Sequence, residues 1–367
     1  MGAMEISVAA LREYLSHIFE GSVEITGAHV LGRSGKPEDV LKAYGYGLPL
    51  RLDYTLRNES RSVVLNTVKP GGFGHENMSD RAAIMLWQAE AFKRLPRHVR
   101  AVDVGAFTIE RSAKTLGDCA ELFLLTEFVE GTEYYRDLDR IRDTGTLANL
   151  DVRRCQTLAR YLAEIHAIKR KDPGLYERRI RELVGHNECI MGLADSYPAD
   201  ADYITPEQLS KIEKRCVDWR WCIKPLAHRL SQVHGDFHPW NMLFREDVDF
   251  TVLDRSRGEW GEPADDVAAM AINYLFYALQ SIGDLSGLFK DLWDVFFETY
   301  LTETKDRALL HVVQPFLCWR ALVIASPVWY PNLALNVRKG LLNFARNVLE
   351  EPVLDLQGIN ALLEAAP

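Results

Sequence analysis

The chain has 367 residues, 47% apolar and 26% charged, with a formal net charge of −9. That length is ample for a buried core and suits two domains or two lobes. The acidic balance argues against non-specific nucleic-acid binding, which needs a basic surface, and no apolar run reaches the roughly 18–20 residues of a membrane span. The opening MGAMEISVAALREYL lacks a basic region and a long apolar stretch, so no secretory signal is expected. Six cysteines, Cys119, Cys155, Cys189, Cys216, Cys222 and Cys318, form no CxxC pair. Reduced thiols in a cytoplasmic protein are the expectation.

In chain order, residues 5–19 carry apolar positions at helical spacing. Strand-like runs follow at 23–30, 40–44, 48–56 and 62–68. In the third, Leu50, Leu52, Tyr54 and Leu56 alternate with Arg51, Asp53, Thr55 and Arg57, the period of a half-buried strand. Tyr44-Gly45-Tyr46-Gly47 lies between the second and third runs, and a turn is expected at 58–61. A helix is predicted over 79–95, capped by Ser79 or Asp80, with Pro96 beyond its end. Two more strands are predicted, 100–107 and 121–128, and Val129-Glu130-Gly131 then reads as a hinge.

Beyond the hinge the pattern is helical. Leu158, Tyr161, Leu162 and Ile165 share one helix face, as do Val267, Met270, Ala271, Tyr274, Leu275 and Ala278 after Pro263. The expected fold class is α+β, with a β-rich lobe over 1–130 and a mostly helical lobe over 131–367.

The strongest chemical signal is QVHGDFHPWNMLF, with His234, Asp236 and Asn241, followed by FTVLDRSRGEWGEPADDVAAM, with Asp254, Arg257 and Asp266. Transfer of a γ-phosphoryl group needs a carboxylate to orient and deprotonate the acceptor hydroxyl. It also needs oxygen ligands for Mg²⁺ bridging the phosphates. Asp236 and Asn241, five residues apart on one loop, suit the acceptor and a metal. Asp254 ends an apolar strand and supplies a hard carboxylate. The order base, amide, strand, carboxylate is that of protein kinases.

These motifs resemble the aminoglycoside phosphotransferase and choline kinase superfamily, small-molecule relatives of protein kinases. The HGDxxxxN pattern matches from His234 to Asn241. The resemblance implies a protein-kinase-like two-lobed fold, ATP and Mg²⁺ as cofactors, Asp236 as catalytic base, and Asn241 and Asp254 as metal ligands. Arg257, Glu262 and Asp266 fall where aminoglycoside 3′-phosphotransferases have an Arg and two acids. Asp266 is expected to open a helix and bond back to the loop backbone. LARYLAEIHAIK resembles the family helix that sets His166 under that loop. FLLTEFVEG resembles the adenine-binding connector, which implies nucleotide contacts at Glu127 and Val129. The implied partner is a small molecule with a hydroxyl, an aminoglycoside or amino sugar leading the candidates.

Other features carry two readings each. His234 reads as a loop-holding residue rather than a proton carrier, His238 as scaffolding and His166 as packing. Gly45 and Gly47 read as a phosphate-covering loop, where the lack of a Cβ lets backbone N–H groups approach the nucleotide, or as a hairpin turn. Arg178, Arg179 and Arg181 read as a solvated helix face, or as a site for an anionic substrate. Trp319, Trp329 and Tyr330 read as core, or as a substrate wall.

The sequence departs from the family pattern at the strand lysine that holds the nucleotide phosphates. That place falls on Asn66. Lys69 lies three residues on, and Pro70-Gly71-Gly72 would bend the chain to let it reach inward. Glu90 is the candidate partner for the lysine. The departure supports an alternative reading, a nucleotide-binding regulatory module without turnover. A protein kinase is disfavoured because no APE-like segment follows Asp254.

Overall fold

The structure, a computed structural model, describes residues 7–31 and 49–365. The chain divides into two compact units, Met1–Thr126 and Glu127–Pro367. The first is built on strands and the second is mostly helical, in keeping with the α+β class. All six cysteines are unpaired. No helix among the described residues is long and apolar enough to cross a membrane.

The first unit opens with helix α1 (Val8–Ile18), whose N-cap Ser7 accepts from the Ala10 N–H. Strands β1 (Val23–Val30), β2 (Leu50–Leu56) and β3 (Glu59–Leu65) form an antiparallel sheet in that order. The alternation expected in β2 is observed: Leu52, Tyr54 and Leu56 are buried against Leu11, Leu15 and Val23. Two sequence expectations fail here. Leu56 pairs with Glu59, so the hairpin turn is Arg57-Asn58 rather than 58–61, and both residues have positive φ, 53° and 66°. A two-residue turn of this hand matches the twist of its strands, and Asn tolerates it well. The strand expected over 62–68 is therefore β3, which runs from Glu59 to Leu65.

Helix α2 (Met78–Phe92) starts after Asn77, not at Ser79 or Asp80; the Asp80 carboxylate instead accepts from the Asn77 N–H at 2.8 Å. Strands β4 (Gly105–Phe107) and β5 (Ala113–Thr115) form a short hairpin. The strand expected over 121–128 is absent. That stretch is extended chain without a ladder, and Phe123, Leu124, Leu125 and Phe128 are exposed. Its apolar composition favours a strand, but no partner strand lies beside it among the described residues.

The second unit begins with β6 (Thr132–Glu133) and helices α3 (Tyr135–Thr144), α4 (Asn149–His166), α5 (Pro173–Gly185), α6 (Ile190–Ser196) and α7 (Pro206–Ile223). Four short strands follow, β7 (Ser231–Gln232), β8 (Met242–Phe244), β9 (Phe250–Val252) and β10 (Trp260–Gly261). Helices α8 (Pro263–Ser281), α9 (Gly287–Thr304), α10 (Gln314–Ala325) and α11 (Leu335–Asn347) complete it. Helix α8 is buried on every side from Val267 to Leu279, as an all-round apolar helix must be. Around it pack α3, α9, α10 and α11, and the core includes Trp293, Trp319, Phe296 and Phe344.

Candidate active site

The site forms where β7 leaves its pairing with β10 and the chain turns toward β8. Helix α8 fixes that turn. Pro263 occupies its first position, Glu262 caps it, and Asp265 and Asp266 sit in its first turn. Carboxylates are favoured there by the helix dipole. The buried Asp266 side chain accepts from the His234 N–H at 2.7 Å and the Gly235 N–H at 2.7 Å. The back-bond expected from the sequence is therefore present. His166, at the end of α4, holds Asp266 in turn: its Nε2 lies 3.1 Å from Oδ2 and its Nδ1 is 2.8 Å from the Tyr300 hydroxyl. Burial pushes the Asp266 carboxyl upward, but the His166 contact and the donated N–H outweigh it and leave the group below the usual range.

Gly235 has φ +88°, and a Cβ there would meet the Arg257 Cβ at 3.1 Å. The backbone thus turns at the one residue that takes this conformation without strain, and Asp236 is displayed next. His234 Nδ1 accepts from the Asp236 N–H at 3.3 Å, while burial lowers the His234 pKa. His234 supports the loop as a neutral imidazole.

Asp236 is engaged by cations that the sequence reading did not foresee. Arg320 of α10 donates from Nη1 to Asp236 Oδ1 at 2.5 Å, and from Nη2 to Asp265 Oδ1 at 2.6 Å and the Gly235 carbonyl at 3.1 Å. Arg257 Nε is 3.9 Å from the same Oδ1. His238 Nδ1 accepts from the Trp240 N–H at 3.3 Å, and its Nε2 lies 3.5 Å from Asp236 Oδ2 and 3.2 Å from Asn241 Nδ2. Burial raises the Asp236 pKa, but the His238 contact and the Arg320 charge prevail and hold it well below the carboxylate range. Asp265 behaves oppositely. Burial and the neighbouring Asp266 push it up to about 6, against the pull of Arg320. Both guanidinium groups lie against the Trp319 ring, with Arg320 Cζ at 3.9 Å and Arg257 Cζ at 4.8 Å from its centroid.

Arg320 left a trace in the sequence. It is the lone charge in QPFLCWRALVIA, the segment of α10. A charge inside an apolar helix has to be paired, because leaving it unpaired in the interior is costly.

Asn241 closes the turn after Pro239 and is nearly buried. Its Nδ2 donates to the Asp236 carbonyl at 3.0 Å, and its amide oxygen has no donor among the described residues. Strands β8 and β9 pair in register Met242 with Val252, and the Leu253 N–H donates to the Asn241 carbonyl at 2.8 Å. Asp254 follows at once. It is exposed, has φ +52°, and makes no hydrogen bond or ion pair among the described residues. Asp236, Asn241 and Asp254 are therefore brought together at one end of the β8–β9 hairpin.

The other expected site residues are placed less informatively. Gly45 and Gly47 lie outside the described residues. Lys69 is exposed, four residues beyond the end of β3 at Leu65. Asn66 is also past that strand, so strand alternation does not decide which of the two faces inward. Glu90 pairs on its own helix with Lys93 at 2.8 Å and Arg94 at 3.5 Å, not with Lys69. Glu127 is exposed and Val129 half-buried in extended chain. Gly131 follows and presses on β8, where a Cβ would come within 2.8 Å of the Leu243 Cβ.

In the basic cluster on α5, Arg181 is exposed as a solvated face would have it, but Arg178 and Arg179 are half-buried and paired. Arg178 and Arg179 both bind Glu182, at 2.6 and 2.7 Å, and Arg179 also donates to the Trp260 carbonyl. Glu262 is buried in an ion pair with Arg229, whose other partner is Asp306. Of the three aromatics, Trp319 is core, whereas Trp329 is 57% exposed.

Several solved structures share features with the chain. A glucosamine kinase in complex with glucosamine, ADP and inorganic phosphate is 19% identical over 56% of this chain, at a TM-score of 0.37. This chain spans only 57% of that kinase. An amicoumacin kinase in complex with AMP-PNP and Ca²⁺ is 16% identical, covering 88% of this chain and 92% of its own, at a TM-score of 0.43. An ethanolamine kinase from Plasmodium vivax is 13% identical, covering 93% and 80%, at a TM-score of 0.36. No curated protein matches the sequence. The model of the phosphotransferase enzyme family matches residues 80–295, more than half of the chain and every residue of the loop around Asp236, and the chain belongs to that family.

Proposed function

We propose that the protein transfers the γ-phosphoryl group of ATP to a hydroxyl of a small molecule. The observation that carries this reading is the clamp of Asp266 on the His234 and Gly235 N–H groups. It displays Asp236 beside Asn241 and Asp254, the residue types that the chemistry requires. In this reading Asp236 receives the acceptor hydroxyl. Its low pKa keeps it ionised at neutral pH, so it is ready to orient the hydroxyl and take its proton as the oxygen bonds to the γ-phosphorus and the bond from that phosphorus to the bridging oxygen breaks, releasing ADP. Arg320 fixes the carboxylate on one side and leaves Oδ2 facing His238.

The residues present fit Mg²⁺. The amide oxygen of Asn241 and the carboxylate of Asp254 are hard oxygen donors without competing partners. Two such groups suffice when phosphate oxygens and water complete the shell. No cluster of three or more His, Cys, Asp or Glu able to hold a metal occurs among the described residues, which agrees with a site of this shared kind. Asn241 and Asp254 would hold the ion, which would supply positive charge to offset that of the phosphates. Gly45, Gly47, Lys69, Glu127 and Val129 are assigned to the nucleotide.

The acceptor in this reading is a hydroxylated small molecule, with amino sugars to be tried first. The test is a screen of hydroxylated metabolites for Mg²⁺-dependent ADP release. An acceptor-dependent signal that vanishes without Mg²⁺ supports the reading. ATP binding with no turnover across the panel favours the regulatory module.

A further inference from the structure

A pocket of about 620 Å³ lies in the second unit, between α3, the latter half of α8 and the loop joining α10 to α11. That volume is within the range of small-molecule sites. It is separate from the surroundings of Asp236. From Asp265, which shares Arg320 with Asp236, to Phe276 on the pocket wall is eleven residues of continuous helix, roughly 16 Å along the axis.

The wall is built rather than loose. Arg338, 4% exposed, donates to the carbonyls of Ala325 and Tyr330 and so fastens the start and the middle of the loop that carries Trp329. The Tyr330 N–H donates to the Ser326 carbonyl at 2.9 Å, and the Tyr330 ring meets Phe276 edge to face at 5.6 Å. Into this space open the exposed Trp329 and the side-chain amides of Gln280, Asn332 and Asn336. None of the three amides has a hydrogen-bond partner among the described residues. The one charged residue on the wall, Arg142, is already met by Asp139 at 3.0 Å and Asp143 at 2.8 Å. No carboxylate lines the pocket.

We propose that this pocket is a second small-molecule site, and that it takes a neutral, hydroxyl-bearing ring ligand of about disaccharide size. Aromatic faces at Trp329 and Tyr330 cover the apolar face of a ring. Amides both donate and accept, which is what hydroxyl groups require. A polycation finds no carboxylate to neutralise it, and burying unpaired charge is unfavourable. The site does not depend on the role assigned to Asp236.

The experiment is a calorimetric and tryptophan-fluorescence titration of the full chain with maltose, sucrose and methyl glucoside, and with gentamicin as the polycation. Saturable binding of at least one neutral glycoside is expected, unchanged in Asp236→Asn. Trp329→Ala and Asn336→Ala, both at exposed positions that spare the core, should each weaken it about tenfold or more. Absence of saturable binding by all three glycosides overturns the proposal. So does an affinity that Trp329→Ala leaves unchanged, or gentamicin binding more tightly than the glycosides in a Trp329-dependent way.

Discussion

Arg320 joins Asp236 to Asp265: one guanidinium nitrogen lies 2.5 Å from the first carboxylate and another 2.6 Å from the second. The three groups come from a loop, a helix N-terminus and the middle of an apolar helix, so the link ties the displayed carboxylate to the core of the second unit. Arg320→Met should leave Asp265 and Asp236 without their main counter-charge and destabilise the fold by about 3–5 kcal/mol. Arg320→Lys keeps the charge but cannot reach both carboxylates with one fork, and should recover part of that loss. Urea unfolding of the three proteins checks this, and equal midpoints would show that the link is not a stabilising one.

Asp265 gives the fold a pH dependence of definite sign. Its carboxyl is pushed up to about 6, against about 3.9 in an unfolded chain. A raised pKa favours the protonated folded state. The resulting stability is complete below about pH 4 and is lost as the pH climbs through 6. Asp265→Asn is neutral at every pH and lacks this loss. Between pH 4 and pH 7 the wild type should lose roughly 2–3 kcal/mol relative to the variant. Denaturant unfolding at several pH values measures it, and parallel curves would show that Asp265 does not titrate there.

Asp254→Ala should abolish the gain in nucleotide affinity that Mg²⁺ provides, because the carboxylate at the end of β9 is assigned to the metal. Since Asp254 is exposed and unpaired, its removal should leave stability within about 0.5 kcal/mol. Titrating ATP with and without Mg²⁺ is the check. An undiminished Mg²⁺ effect in the variant removes Asp254 from the metal site.

Lys69→Ala should weaken ATP binding by about 1.5–3 kcal/mol, the loss of a charge-assisted contact. Asn66→Ala should change it far less. Both residues lie beyond the end of β3, so neither is held by a ladder and the charge decides between them. Nucleotide Kd values for the two variants at one fixed Mg²⁺ concentration separate them. A wild-type Kd for Lys69→Ala returns phosphate binding to the Gly45–Gly47 segment.

The sequence revealed what is local. Asp236 and Asn241 share one loop, Asp254 ends the next hairpin, and Asp266 begins the following helix, so spacing alone groups them. The alternation in β2 was legible because one face of that strand is buried. What sequence reading missed depends on distant partners. Arg320 lies 84 residues from Asp236, and only its isolation in an apolar helix hinted at burial. The exposed run Phe123 to Phe128 reads as a strand because composition reports a preference, whereas a strand also needs a neighbour to pair with. The hairpin turn reads as 58–61, although Glu59, Ser60 and Arg61 belong to β3, because polar residues suit a turn and the exposed start of a strand alike.

The most direct test of the central claim follows the phosphorus. With ATP, Mg²⁺ and an acceptor found by the ADP-release screen, ³¹P spectra of the wild type should show the γ-phosphoryl signal replaced by that of a phosphate monoester of the acceptor. Asp236→Asn should bind ATP with nearly unchanged affinity yet form the monoester about 10²–10⁴-fold more slowly. A monoester formed by Asp236→Asn at the wild-type rate, or inorganic phosphate as the sole product of the wild type, would contradict the account.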